Sequence, residues 1–272
     1  MNREVQDDID LYQVDVFACR PFTGNPAAVC VSDRTLTRAQ MQAIAAENNI
    51  SETAFLRRTG GSRRAIRWFT PTVEADCCAH ATLAAAQIVF DHLDPQAEIT
   101  TFTTRAIGEL KVARCGPRLE LAFPSLAPHE HPRVLSLDSA LGASPSALYR
   151  AHDRYLAIFE QERHVRDLSP DFRALALLPC HVIAAAPADS DGDLVTRFFA
   201  PRVGIDEDPV AGSALATLAP YWAKRTGGSE LVVRHLSRRG GIAWVRVQDG
   251  QVFMAGHTIT VIRGTFLLPD DS

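Results

Sequence analysis

One pattern of residues occurs twice in this chain. Residues 69–76 read FTPTVEAD and residues 199–206 read FAPRVGID, so phenylalanine, proline, valine and aspartate recur at the same spacing. An alanine-rich stretch follows each copy, and both stretches contain the string ATLA, at 81–84 and at 216–219. A repeat about half a chain apart indicates a duplicated unit in which a loop leads into a helix. The chain is therefore expected to contain two similar domains.

Length and charge limit the classes of protein to which the chain can belong. At 272 residues it reaches the size at which a single core stops growing and a chain divides into domains. Its formal net charge of -4 and its pI near 6.1 supply no positive field that would attract nucleic acid or an anionic membrane. Neither partner is expected.

Signals for export or membrane insertion are not apparent in the sequence. The first eight residues include acidic side chains where a secretory signal has a basic start. The most apolar segment, 174–188, is interrupted by Pro179, His181 and Pro187. The six cysteines are spread along the chain without the dense framework of a small secreted domain. These features predict a cytoplasmic location.

Apolar periodicity and turn residues predict the same order of elements in each half. Strands lead to a loop, the loop leads to an alanine-rich helix (80–93 and 214–224), and further strands follow. Such an apolar helix is typical of a helix enclosed by a curved sheet. The proline-rich segment 124–132 predicts the boundary, with domains at 1–123 and 124–272.

Glu52 is the candidate for acid and base chemistry. Thr37 and Gln40 form a predicted capping box for a helix that ends at Asn48–Asn49, and Glu52 then stands at the start of the next strand. A carboxylate in a partly dry site can take up a proton from a carbon skeleton and release it again. For a lone acid after a helix, however, the ordinary alternative is an exposed cap or turn, and the local pattern alone favours that alternative.

The two junctions between loop and helix are candidate anion sites. Backbone N–H groups near Ala79–His80 and Gly212–Ser213 stand at predicted helix N-termini, where they can hold a carboxylate or stabilise an oxyanion. Plain helix capping by Asp76 and Ser213 is the structural alternative. His80 can donate a hydrogen bond to a substrate or can simply cap its helix.

Cys77 and Cys78 suggest thiol or metal chemistry. With His80 they resemble part of a zinc site, but a structural zinc ion needs four ligands and no second Cys/His pair stands at a suitable spacing. No metal site is therefore expected. Cys78 is either a reactive thiol or a small packed side chain, and the second interpretation is slightly favoured. A Walker loop, a dinucleotide fingerprint and a lysine-centred cofactor motif are also missing from the sequence, so no cofactor is expected.

Five strings, in order along nearly the whole chain, resemble the signatures of the PhzF-like family of phenazine biosynthesis proteins. They are DVF with FTGNPAAV (15–17 and 22–29), ISETAF (50–55), FTP through HATL (69–83), DP with GSA (208–214) and SRRGG (237–241). The resemblance implies the α+β fold of diaminopimelate epimerase, in which two similar domains each wrap a curved, mostly antiparallel sheet around a central helix. It further implies an active site in the cleft between the domains, a homodimer, and a last strand, 261–268, that returns to the first domain.

The resemblance also implies roles for single residues. The glutamate of the Ser-Glu-Thr motif is the proton shuttle of the family, which corresponds to Glu52. Asp208 and His80 match polar positions of the family's site and are expected to orient the substrate. The chain is then expected to be a cofactor-independent isomerase that moves a proton on a small, anionic, carboxylate-bearing substrate. The substrate-binding positions implied in the same way are Ser213, Gly212, Ala79, Cys78 and Asn25.

Two alternatives remain open. Some racemases and epimerases of the same fold use one thiol from each domain, and Cys78 fits the first position, but residues 208–213 contain no cysteine. An amino-acid racemase built on Cys78 would therefore need Glu52 or Asp208 as the opposite base. A non-catalytic homologue that binds small molecules is the other alternative. Ala79 and Leu215 replace a usual glycine and a usual polar residue, so isomerisation of the phenazine precursor is not assumed.

Overall fold

The chain folds into two compact units. A computed structural model describes residues 9–57 and 63–267. One unit comprises residues 1–122 and 255–272, and the other comprises residues 123–254. Leu268, the last residue of the strand predicted at 261–268, lies outside the described residues.

The first unit combines strands with helices that lie between them in the chain. The helices are α1 (Arg38–Asn48) and α2 (Ala79–Ile88), and α2 continues into a π-helical turn at Val89–Leu93. The last strand of the chain pairs antiparallel with the first. The strands that lie wholly or mostly in this unit are β1 (Ile9–Val16), β2 (Asn25–Ser32), β3 (Glu52–Arg57), β4 (Arg63–Phe69), β5 (Glu74–Ala75), β6 (Ile99–Thr103), β7 (Glu109–Cys115), β8 (Arg118–Pro124) and β18 (Thr258–Phe266).

The second unit also combines strands with helices. Its helices are α3 (Leu135–Leu141), α4 (Glu162–Arg166), α5 (Phe172–Ala176) and α6 (Gly212–Thr226), with a 3-10 turn at Pro201–Val203. The strands that lie wholly or mostly in this unit are β9 (His129–Glu130), β10 (Ala147–Ala151), β11 (Arg154–Ile158), β12 (His181–Pro187), β13 (Leu194–Ala200), β14 (Ile205–Asp208), β15 (Glu230–His235), β16 (Gly241–Gln248) and β17 (Gln251–Gly256).

The two units repeat one order of strand pairing. In the first, β2 runs parallel to β3, β3 antiparallel to β4, and β4 pairs antiparallel with β5 and parallel with β6. In the second, β11 runs parallel to β12, β12 antiparallel to β13, and β13 pairs antiparallel with β14 and parallel with β15. Helix α2 follows β5, and helix α6 follows β14. The repeat in the sequence is therefore a repeat of topology.

The alanine-rich helices are buried, as the sequence predicts. Every residue of α2 except Gln87 is buried, and α2 packs against β1, β2 and β3. In α6 the residues from Ala214 to Ala219 are all buried. Alanine side chains let a sheet approach a helix closely, which explains why these helices carry so few large residues. No helix in the described ranges is both long enough and apolar enough to cross a membrane.

Some local boundaries differ from the prediction for physical reasons. The helix predicted at 80–93 is α-helical only to Ile88, and its last turn widens into the π-helical segment. Strand β14 (Ile205–Asp208) occupies part of the segment that the sequence assigns to the loop before the second alanine-rich helix. Helix α4 is not predicted by the apolar pattern, because five residues are too few to show a helical period.

Candidate active site

The loop of residues 17–24, between β1 and β2, leads to Asn25 inside the first unit. Gly24 has a φ of +70°, and a Cβ atom there would lie 2.2 Å from the carbonyl oxygen of Val16, so the loop requires glycine. Asn25 pairs with Val16 in the antiparallel ladder of β1 and β2, and its exposure is 0%. A buried amide must find its hydrogen-bond partners within the protein.

Helix α1 and strand β3 place Glu52 beside β2. Thr37 and Gln40 form the predicted capping box of α1, and Asn49 ends the helix in the left-handed conformation. Strand β3 then runs parallel to β2, with Glu52 opposite Ala27. The Glu52 side chain is only 14% exposed. The alternative of an exposed cap or turn is therefore wrong for this acid.

The N-terminus of α2 supplies Cys78 and His80. Cys78 is the N-cap residue, and its side chain makes no capping hydrogen bond. The Thr82 hydroxyl donates to the Cys78 carbonyl oxygen at 2.6 Å, which fixes the first turn. His80 lies within this turn and is buried. Asp76 does not cap the helix, so that structural alternative is also wrong.

These elements bring three other predicted site residues, Glu52, Asn25 and Cys78, to the ring of His80. Its Nε2 atom lies 3.1 Å from Glu52 Oε2. Its Nδ1 atom lies 3.3 Å from Asn25 Nδ2 and 3.5 Å from Cys78 Sγ. The Ser51 hydroxyl donates to Asn25 Oδ1 at 3.3 Å, which turns the amide nitrogen toward the ring. The sequence places Ser51 in the ISETAF string but does not predict this supporting role.

The facing atoms of Glu52 and His80 are close together but are not joined by a well-aligned hydrogen bond. Both Oε2 and Nε2 are buried, and within the described residues neither makes a well-aligned hydrogen bond, although the two are within ion-pair distance. Burial lowers the pKa of His80, but the Cys78 sulfur and the Glu52 carboxylate raise it by more, so the pKa lies well above its usual value. Because the Asn25 amide nitrogen can only donate, Nδ1 is the acceptor in this contact and the ring proton lies on Nε2, which faces the Glu52 carboxylate.

The thiols of Cys78, which contacts His80, and of its neighbour in sequence Cys77 both resist ionisation. Burial raises the pKa of Cys78 and the Glu52 carboxylate raises it further, while His80 acts in the opposite direction without reversing the shift. Burial also raises the pKa of Cys77, to about 12. A thiol with a raised pKa is a poor proton acceptor near neutral pH.

In the second unit, Asp208 ends strand β14 at the start of the second loop. Its Oδ1 atom accepts a hydrogen bond from the Val210 N–H at 3.1 Å. The Ser237 hydroxyl donates to the Pro209 carbonyl oxygen at 2.8 Å. Both bonds shape the chain that leads from β14 into α6. Ser237 belongs to the SRRGG string of the sequence, so this string has a structural role in holding the loop.

The N-termini of α6 and α2 have similar local features. Helix α6 begins at Gly212, and its N-cap residue Ala211 has no side chain able to accept a capping hydrogen bond. Ser213 lies in the first turn and is not the cap, contrary to the capping alternative. Its carbonyl oxygen accepts a hydrogen bond from Arg154 Nη1 at 2.8 Å. In α2, Ala79 occupies the corresponding first position and is buried. Both helices thus start without a side-chain cap.

Comparison with known proteins identifies relatives along nearly the full chain. A family model described as phenazine biosynthesis-like protein matches residues 14–264. An uncharacterized isomerase of Pseudomonas aeruginosa is 44% identical over 260 residues, which are 96% of this chain and 99% of that protein. The crystal structure of a PhzF-family phenazine biosynthesis protein from Enterococcus faecalis is 39% identical, with a TM-score of 0.92, and the match covers 96% of this chain and 100% of that one.

A more distant structural match extends the comparison of folds. A hydroxyproline epimerase from Agrobacterium vitis has a TM-score of 0.62 at 11% identity, and the match covers 98% of this chain and 94% of that one. At this identity the match shows the fold alone. The prediction of an epimerase-like α+β fold is confirmed.

Proposed function

The chain belongs to the phenazine biosynthesis-like, PhzF-like family, and we propose that it is a cofactor-independent isomerase in which Glu52 moves a proton on a small carboxylate-bearing substrate. Similar proteins that are named as isomerases support the reaction class. The observation that carries the residue assignment is the pairing of Glu52 with the buried His80, whose facing atoms are 3.1 Å apart. Geometry of this kind is suited to general acid and base catalysis.

In the proposed reaction Glu52 acts first as a base and then as an acid. Its carboxylate takes a proton from a carbon next to a carboxylate or a conjugated system, and the electron pair moves into that system. The protonated side chain then returns the proton to another carbon of the same substrate. The Glu52 side chain is 14% exposed, so water reaches the carboxyl group and the proton it carries can exchange with solvent before it is returned to carbon.

His80 is proposed to orient the substrate and to stabilise the charge that develops on it. Its ring is held on the Nδ1 side by Asn25, which is in turn held by Ser51. A ring whose rotation is fixed in this way can present one nitrogen to a reacting group without further reorganisation. Asn25 and Ser51 are then positioning residues that act through His80.

Residues of the second unit are proposed to bind the anionic part of the substrate. Asp208 orients it, and backbone N–H groups at Gly212 and Ser213 hold the carboxylate. The absence of a side-chain cap at Ala211 supports this role, because it leaves first-turn N–H groups of α6 without that partner. The buried residues Cys78 and Ala79 at the start of α2 are assigned to substrate packing.

The test is incorporation of solvent deuterium into a panel of cyclic hydroxy-amino acids and ordinary amino acids. We expect Glu52→Gln to lower the exchange rate by about 100-fold or more, because the base is lost while the shape is kept. The matched control is Glu47→Gln, which removes an exposed carboxylate from α1 and should leave exchange unchanged. Full exchange in Glu52→Gln would exclude the proposed role of Glu52.

The same panel separates the proposal from the two alternatives. A racemase that uses Cys78 would lose exchange in Cys78→Ser and keep it in Glu52→Gln. The raised pKa of the Cys78 thiol makes this outcome less favoured. A homologue that only binds small molecules would retain metabolite binding with no exchange in any variant, including the wild type.

A further inference from the structure

Glu52, Cys78 and His80 form a cluster of three potential metal ligands in the first unit. One ligand atom from each side chain lies within 4.8 Å of the other two. The three residues come from the start of β3, the N-cap of α2 and the first turn of α2. Regular backbone elements therefore hold all three, which limits the rearrangement needed to close them on an ion.

We propose that this cluster binds a thiophilic divalent cation such as Zn²⁺, and that the bound ion stops Glu52 from moving protons. The binding itself does not depend on the proposed function. Only the inhibition rests on the assignment of Glu52 as the base. The two parts are therefore tested by separate measurements.

The donor set selects for a particular class of ion. Zn²⁺ binds thiolate, imidazole and carboxylate, with bond lengths of roughly 2.0–2.3 Å and tetrahedral geometry. Ligand atoms on such a tetrahedron are about 3.3–3.6 Å apart, as these bond lengths require. His80 Nε2 lies 3.1 Å from Glu52 Oε2, and His80 Nδ1 lies 3.5 Å from Cys78 Sγ. An ion on either nitrogen therefore has one further ligand near tetrahedral spacing, and the third must close from within the 4.8 Å span of the cluster. Mg²⁺ and Ca²⁺, which prefer oxygen ligands, do not match a thiol and an imidazole.

Within the cluster His80 Nδ1 is already contacted by Asn25 and Cys78, whereas Glu52 Oε2 and His80 Nε2 face each other without a well-aligned hydrogen bond. Glu52 Oε2 and His80 Nε2 are buried and make no well-aligned hydrogen bond to any described residue. A buried polar atom without a hydrogen bond is energetically costly, and coordination to a cation would remove that cost. Three protein ligands leave the fourth position of a tetrahedral ion open to water or to a carboxylate of a small molecule.

Coordination has a defined proton balance. The Cys78 thiol loses its proton to water when the sulfur binds the ion, because a coordinated thiol is held as the thiolate. His80 binds as the neutral imidazole, through the nitrogen without a proton, so the second proton of a charged ring also passes to water. The Glu52 carboxylate donates an oxygen lone pair to the ion and is then no longer available to accept a proton from carbon.

Cobalt(II) is the spectroscopic probe of this site. The full chain, freed of metal by chelation, is titrated with Co²⁺ and then with Zn²⁺ in competition. We expect one equivalent of Co²⁺ to produce a sulfur-to-cobalt charge-transfer band in the near ultraviolet and d–d bands of tetrahedral intensity. Zn²⁺ should displace Co²⁺ and abolish both sets of bands.

Variants identify the ligands. Cys78→Ser and Cys78→Ala should both lose the charge-transfer band, and the use of two replacements guards against one that fails to fold. Glu52→Gln should keep the band but weaken Zn²⁺ binding about tenfold or more, since even outer-shell losses cost that much. Cys77→Ser is the matched control: its thiol lies next in sequence but outside the cluster, and its band should match the wild type.

The results that would overturn the proposal are equally specific. A charge-transfer band that survives in both Cys78 variants, or that is lost in Cys77→Ser, would place the ion elsewhere. Failure of the wild-type protein to show the band at millimolar Co²⁺ would exclude the site altogether. If Zn²⁺ binds at the cluster but leaves deuterium exchange unchanged, the metal site stands and Glu52 is not the base.

Discussion

The side-chain amide of Asn25 lies 3.3 Å from His80 Nδ1, although 55 positions separate the two residues in the chain. The amide nitrogen of Asn25 faces the ring because its oxygen accepts a hydrogen bond from Ser51. With Nδ1 held in this way, the opposite nitrogen faces Glu52 at 3.1 Å. The fully buried first residue of β2 thus sets the orientation of the ring that faces the proposed base.

Replacement of Asn25 by alanine tests this support. We expect the free energy of unfolding to fall by about 1–3 kcal/mol, because the change removes a buried amide and leaves its partners unpaired. Ser51→Ala should cost less, about 1 kcal/mol, since only one hydrogen bond to Asn25 is removed. Urea denaturation of the two variants measures both values. Equal stabilities of Asn25→Ala and the wild type would show that the amide does not hold the ring.

Glu52 and His80 should act as a coupled pair in catalysis. We expect His80→Gln to lower deuterium exchange by about 10–100-fold, because the substrate loses a positioned donor. In the double variant with Glu52→Gln, the further loss should be much smaller than the product of the two single effects. The measurement is a double-mutant cycle: deuterium-exchange rates of the wild type, the two single variants and the double variant. Strictly multiplicative losses would mean that the two side chains act independently.

Gly24 should be far less tolerant of substitution than another glycine in the same backbone region. Gly24→Ala adds backbone strain at a φ of +70°, and its Cβ atom would lie only 2.2 Å from the Val16 carbonyl oxygen, which is a steric clash. Gly108 has a φ of +81°, but a Cβ atom there meets nothing within 4 Å. We expect Gly108→Ala to cost about 1–2 kcal/mol, from the left-handed backbone alone, and Gly24→Ala to cost clearly more. Thermal unfolding of the two variants compares them, and equal costs would contradict the clash.

Glu74 should stabilise the protein above pH 4.5. Arg67 hydrogen-bonds one carboxylate oxygen at 2.8 Å, and Arg38 binds the other at 2.9 Å. The hydrogen bond from Arg67 is the main cause that lowers the pKa of Glu74 from 4.5 to about 2. Between these pH values the unfolded chain binds more protons than the folded one, so stability falls as the pH drops through this window.

We expect Glu74→Gln to lose about 2 kcal/mol at pH 7, a value reduced for solvent screening of the exposed Arg38 side chain. The difference from wild type should shrink as the pH falls from 4.5 to 2. Glu109→Gln is the control: its ion pair with Arg63 is solvent-accessible, with side chains 39% and 72% exposed, so its loss should cost under about 1 kcal/mol. A pH-independent difference for Glu74→Gln would contradict this assignment.

His235 should make the second unit sensitive to mild acid. It is buried, burial lowers its pKa from 6.5 to about 3, and neither ring nitrogen has a hydrogen bond among the described residues. The unfolded chain binds a proton between these pH values while the folded one does not, so stability declines as the pH falls from 6.5 toward 3. The loss amounts to about 4 kcal/mol at the lower limit.

We expect His235→Leu to remove this acid sensitivity and to be at least as stable as the wild type at pH 7. Leucine has no buried polar atoms that need partners, which is the physical reason for the gain. Denaturation curves between pH 7 and 3 measure the slope for both proteins. An unchanged slope in the variant would assign the sensitivity to other groups.

The fold was largely predictable because its signals are local. The repeat of Phe, Pro, Val and Asp marks the turn from a central strand into an alanine-rich helix in both halves, and the structure repeats its topology there. The capping box of Thr37 and Gln40 also formed as predicted. Short elements such as α4 were missed because their stability comes from packing and hydrogen bonds to distant segments, which leave no period in five residues.

The sequence by itself determined the family, the fold and the residue types of the site, because strings such as GNP and SET are contiguous. It did not determine which side chains meet. The register that sets Glu52 beside Ala27, and the burial of α2 against β2, bring Glu52 to His80 and Asn25 to the same ring. The spacing of Cys78 and His80 gave only two of the three potential metal ligands, and tertiary structure added Glu52. Hydrogen bonds and coordination depend on distances of a few ångströms in space, and only strand register and helix packing set those distances.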